Sequence, residues 1–161
     1  MNAVSAATGL YLKKLTKECF DQIEGVPDED VNSWRPALAL QDINTMFALL
    51  THVISSGEFW MLSVAAELPS HRVRATEFIA TGDVAALRAR AGVWLSACET
   101  LLATLTPADF ERVVHYKSST TGAPSSDTIA NCLIHAVDHT ANHLGHLQIQ
   151  RQIWNAERGT R

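Results

Sequence analysis

The sequence predicts an all-α fold, a four-helix bundle, and three observations predict it. Four long segments space their apolar residues as a helix does, no segment alternates convincingly as a strand does, and proline, glycine or acidic runs separate the four. At 161 residues the chain is read as one domain, 1–161, long enough to bury a core without disulfides or metal staples.

The first helix is expected over about 6–24, with Leu10, Leu15, Cys19, Phe20 and Ile23 near helical spacing, and Gly25 and Pro27 stopping it. Asp28-Glu29-Asp30 then reads as a solvated loop, followed by a connector holding Trp34-Arg35-Pro36. The second helix is expected over about 42–68, with Asp42 as N-cap and Pro69 beyond its end. An Arg-rich stretch over 70–81 leads to Thr81-Gly82-Asp83, which opens a third helix running to about 105. Thr106-Pro107 has the form of an N-cap with proline at the first helical position, opening a short helical turn. Residues 113–116 read as extended and 118–126 as a polar loop, with Ser126 or Asp127 capping a fourth helix that runs to about 156. The connections into the third and fourth helices, about a dozen and about twenty residues long, admit a crossover. A crossover is expected in place of the simple up-down-up-down order.

Composition narrows the function. Hydrophobic residues make up 47% and charged residues 19%, with a net charge of −4, so the chain is globular and offers no basic field for nucleic acid. Three cysteines, Cys19, Cys98 and Cys132, are odd in number and widely spaced, which argues against a disulfide framework and for a reducing compartment. Residues 1–12 lack a signal-peptide pattern. Residues 43–68 approach membrane-spanning length but contain Asn44, His52, Ser55, Ser56, Glu58 and Glu67, which suits a buried helix better than a span. A cytoplasmic protein that binds neither membrane nor nucleic acid is the expectation.

The informative stretch is His135-Ala-Val-Asp-His139-Thr-Ala-Asn-His143-Leu-Gly-His146, which holds four of the seven histidines. At roughly 100° per residue, with His139 as zero, His143 lies near +40°, His135 near −40° and His146 near −20°, so all four share one stripe. Cys132, Ala136, Ile153 and Trp154 fall in or beside it, which argues that it faces inward. Side chains four apart on a helix stand about 5–6 Å apart, and two imidazoles at that spacing can converge on one ion with metal–nitrogen bonds of about 2.0–2.1 Å. A third ligand must come from another helix. His52 is the best candidate, midway along the most apolar segment and followed by Ser55, Ser56 and Gly57; His71 and His115 lie in connectors and are weaker. A single histidine on an apolar face is usually a core residue with a satisfied hydrogen bond, but four on one stripe would each need a buried partner. Periodicity does not choose among the pairs 135/139, 139/143 and 143/146.

The fourth-helix pattern H-A-V-D-H-T-A-N-H-L-G-H-L-Q-I resembles the signature of the DinB/YfiT-like superfamily, usually H-x-x-x-H-x-x-x-H-R-G-Q-I. The segment from Leu49 to Trp60, with His52 two turns before the tryptophan, resembles that family's second-helix motif, and Arg74-Ala-Thr-Glu77-Phe78 with Gly82-Asp83 resembles its R-x-x-E-F-x-x-x-G-D stretch. The resemblance implies a bundle with one divalent metal ion held by one histidine of the second helix and two of the fourth, which by position are His52, His139 and His143. The family's usual Arg and Gln are Leu144 and His146 here, so those two roles do not carry over, and His146 is left as a further ligand or a partner of one.

Three neutral imidazoles leave coordination positions open, the pattern of a catalytic site, and suit zinc, nickel or iron without distinguishing them. Such an ion activates either water, for hydrolysis, or a thiol, as thiolate. The resembling superfamily includes transferases and isomerases that use small cellular thiols. The expected function is therefore transfer of a low-molecular-weight thiol to a small-molecule electrophile, with a metal-dependent hydrolase and a non-catalytic metal-binding or homodimeric interaction protein as alternatives. The homodimer rests on the apolar excess of the second helix, which a central place in its own core explains equally well. No Glu-x-x-His pair and no H-E-x-x-H occurs, which sets aside di-iron bundles and the common zinc proteases. Cys132 as a nucleophile, Arg72 and Arg74 facing an anion, and Trp60 and Trp154 lining a pocket are weighed against an inert buried thiol, a solvated connector and core packing.

Overall fold

In a computed structural model, which describes residues 1–37 and 43–158, the chain is an all-α bundle carrying one small hairpin. Helix α1 spans Ala3–Asp21, one turn earlier than periodicity suggests, because the Asn2 side chain caps it by accepting from the Ser5 amide at 2.9 Å. Gly25, at φ +70°, turns the chain out of it. The acidic run is not a loop. It forms helix α2, Asp28–Ser33, whose first-turn carboxylates complement the helix dipole and whose Val31 is buried.

Helix α3, Met46–Glu58, begins at an N-cap made by Thr45, whose Oγ1 accepts from the Ala48 amide at 3.1 Å. Asp42, expected in that role, lies outside the described residues. The helix continues as a π-helical segment, Phe59–Ala65, before the chain leaves through Glu67 at φ 55°. Every residue from Met46 to Gly57 is buried. Gly57 is needed there, because a Cβ would stand 2.0 Å from the Trp94 ring. Met46–Ala65 is, among the described residues, the one helical stretch long and apolar enough to cross a membrane, and 78% of its apolar window is buried inside the fold. Most of the apolar surface of this helix is thus covered by the chain itself.

A short helix α4, Arg74–Glu77, sits in the Arg-rich connector. Asp83 caps α5, Val84–Thr104, by accepting from the Ala86 amide, and a Thr106/Asp109 capping box opens a 3₁₀ turn over Pro107–Glu111. Strands β1, Val113–Lys117, and β2, Pro124–Thr128, pair antiparallel with Val113 opposite Thr128. The expected polar loop is therefore partly strand. Pro-Ser-Ser-Asp-Thr has no apolar alternation to announce it, and its backbone pairing with β1 makes it a strand. Helix α6, Ile129–Arg158, is capped by Thr128 and not by Ser126 or Asp127: Thr128 Oγ1 accepts from the Asn131 amide, while Asp127 accepts from the Asn131 side chain.

The main packing runs α1–α6, α1–α5, α3–α6 and α3–α5. So α1 and α3 stand on one diagonal of the bundle and α5 and α6 on the other. The chain crosses the bundle between α1 and α3 and again between α5 and α6, while α3 and α5 are neighbours. Leu12, Met46, Leu50, Ile54, Trp94, Leu102, Leu133 and Leu147 fill the centre. This order sets the histidine stripe of α6 directly against α3.

Candidate metal centre

His52, on buried α3, meets His139 and His143 on α6, and one ligand nitrogen from each lies within 4.8 Å of the others. His52 Nε2 stands 3.1 Å from His139 Nε2. Two nitrogens bound tetrahedrally to one ion at about 2.0–2.1 Å would be about 3.3 Å apart. The rings of His139 and His143 are 4.5 Å apart, one helical turn along the same stripe. The other two histidines of the stripe flank this group and are exposed: His135 packs on Trp60 at 4.2 Å between ring centres, and His146 Nδ1 stands 3.2 Å from His143 Nδ1. His71 and His115 are exposed and outside the group.

The second nitrogen of His52 is tied down. Its Nδ1 lies 2.6 Å from Glu77 Oε2, and Arg72 grips the same carboxylate in a fork, Nε to Oε1 at 2.6 Å and Nη2 to Oε2 at 3.0 Å. The side chains of His52, Glu77 and Arg72 are only 5%, 4% and 7% exposed. Burial opposes the charge on Glu77, but hydrogen bonds from His52 and Arg72 and the guanidinium charge overcome it and hold the carboxyl below its usual range. An ionised carboxylate only accepts, so His52 Nδ1 carries the proton and its Nε2 lone pair faces His139.

The sequence alone gives Glu77 no role and offers Arg72 a solvated connector, with an anionic ligand as the alternative. Arg72 takes neither, since it is buried and neutralised by Glu77. The usable signal was the need of a buried ligand histidine for a partner on its other nitrogen, with Glu77 the acid inside the R-x-x-E-F stretch. Cys132 is fully buried, and burial, with Asp127 adding to it, pushes its thiol up to about 11, so it is no nucleophile. Trp60 borders the group through His135, whereas Trp154 is core and donates to Asp30. A cavity of about 570 Å³ between α3, the connector and α5 touches Glu77 and Arg72 but none of the three histidines.

Burial, and then the charges on neighbouring histidines and arginines, push His139 down to about 3 and His143 down to about 4. Both are therefore neutral at physiological pH, the form that ligates metal. In the unfolded chain each titrates near about 6.5, so below that pH the unfolded state takes up protons that the fold refuses. The stability of the metal-free protein should be complete above about pH 6.5 and should fall as pH drops toward 4. Urea melts at pH 7.5, 6 and 5 should show the midpoint descending. A flat midpoint would contradict the burial of neutral imidazoles.

The sequence matches the family model of the DinB superfamily over residues 11–147. A search of curated proteins finds no significant match. A crystal structure described as a conserved protein of locus from Enterococcus faecalis is similar in fold, with a TM-score of 0.68 at 12% identity over 95% of this chain and 97% of that one. At that identity the likeness concerns the fold alone.

Proposed function

This chain belongs to the DinB superfamily, and from that premise we propose that it is a metal-dependent protein that activates a small thiol for transfer to an electrophile. The observation that carries the reading is the convergence of three imidazoles from two helices with no carboxylate among them. The donor set suits zinc, nickel or iron, and the 3.1 Å approach of His52 and His139 is close to the separation of two ligands on one ion. His52, His139 and His143 would hold the ion, leaving one or more positions for an incoming ligand.

Held there, a divalent ion would favour the thiolate over the thiol at neutral pH. The chain's own groups prepare that event. Glu77 and Arg72 fix the His52 ring and its tautomer. His139 and His143 stay unprotonated, so no proton competes for their lone pairs above the acid range. Phe78, 4.9 Å from the His52 ring, and Trp60, on His135, place apolar rings beside the group and limit water around it. His139 and His143 are neutral and Glu77 and Arg72 balance each other, so these four groups add no net charge to the site.

Cobalt(II)-loaded protein titrated with 2-mercaptoethanol tests the reading. A saturable change in the visible spectrum is expected, lost when His143 is alanine. Cobalt uptake with no response to thiol would sink the transfer reading and leave a metal-binding protein.

A further inference from the structure

Arg74 differs from every other arginine among the described residues. Arg35, Arg72, Arg88, Arg90, Arg112, Arg151 and Arg158 each donate to a carboxylate or a backbone carbonyl. Arg74 does not; its guanidinium lies over the Phe78 ring at 4.7 Å, and the same ring packs against His52 at 4.9 Å. It is half-buried, in the short helix that also supplies Glu77. A cation with no carboxylate partner among the described residues therefore shares the Phe78 ring with His52.

Its surroundings give that charge a direction. Toward the His135 end of the stripe, Asp127 and Asp138 contribute negative charge, and toward the His143 end Arg74 contributes positive charge. Arg72, the other arginine near the group, is neutralised by Glu77. A ligand bound at the three histidines would have the Arg74 guanidinium toward His143 and the Asp127 and Asp138 carboxylates toward His135. Resting on phenylalanine, that guanidinium keeps its planar donors free for a carboxylate.

We propose that Arg74 is the specificity residue of the site and docks a carboxylate on the molecule that binds the metal, so that the substrate or its thiol partner is an anion. This rests on the metal-centre reading above, and the experiment separates the two.

Cobalt(II)-loaded wild-type and Arg74→Gln proteins are titrated with 3-mercaptopropionate and with its uncharged amide, and cobalt content is measured in parallel. Wild type should bind the acid about tenfold more tightly than the amide, the scale of one charge-assisted hydrogen-bonded pair at a partly exposed site. Arg74→Gln should erase that preference while cobalt content and amide affinity stay unchanged, and Arg74→Lys should restore part of it. An equal preference in wild type and Arg74→Gln, or none in wild type, overturns the proposal. If cobalt binds but neither thiol alters its spectrum, the thiol reading fails by itself. Propionate against propionamide then decides on Arg74, with a preference for propionate in wild type that Arg74→Gln abolishes supporting it and any other result overturning it. If cobalt does not bind, both readings fall.

Discussion

A His139→Ala variant is expected to lose its divalent ion almost completely while keeping its helices. With one of three imidazoles gone, the remaining pair lacks the nitrogen that stands 3.1 Å from His52 Nε2. The loss of affinity should exceed the roughly 10–100-fold that follows removal of a group merely hydrogen-bonded to a ligand. Helicity should persist because α6 is anchored by Leu133, Ala136, Leu144 and Leu147, all buried, and not by the half-buried imidazole. Elemental analysis and circular dichroism read the two effects separately. Metal content equal to wild type would remove His139 from the site. Loss of the helical signal would make the result one of folding.

Glu77→Ala should give the largest loss of stability of any single change near the site. It strands the Arg72 guanidinium, 7% exposed, with a 3.3 Å hydrogen bond to Ser119 and the face of Phe59 at 5.4 Å, and it leaves His52 Nδ1–H without its acceptor. Breaking a buried pair from one side typically costs about 3–5 kcal/mol, which for a chain of this size is a fall in Tm of roughly 10–15 °C. The double replacement Arg72→Met with Glu77→Leu removes both charges and should recover most of that stability. Metal affinity should stay low in the double variant, because nothing then fixes the His52 tautomer. Thermal melts and metal titrations of the two variants therefore separate holding the fold from orienting the ligand. A single variant within about 1 kcal/mol of wild type would show that the pair is solvated.

Helices with strong local signatures are legible in the sequence. The start of α5 at Asp83, the Thr106-Pro107 turn and the stop before Pro69 all depend on caps and breakers acting within a few residues. Features that depend on distant partners are not. Helix α2 differs from the expected loop because Val31 is buried and Asp30 accepts from Trp154 and Arg158, partners far away along the chain. Strand β2 differs from the expected loop because its side chains are polar and only its pairing makes it a strand. The π-helical stretch after Glu58 had no local mark either.

The histidine stripe belongs to the first kind. Four imidazoles on one side of α6 follow from helical periodicity alone, and so does the availability of a pair one turn apart. That His139 and His143 face His52 was beyond periodicity, since it requires α3 and α6 to be neighbours across a bundle whose chain crosses both diagonals. The Glu77–Arg72 support was further still from local reading. A short connector helix had to be pressed against α3 before a surface-looking acid and base could become a buried pair. Sequence by itself determined the elements and the faces they present, because backbone hydrogen bonds and side-chain spacing act over a few residues. Which faces meet, and which charges lose their water in meeting, was decided only by tertiary packing, because desolvation depends on atoms far away along the chain.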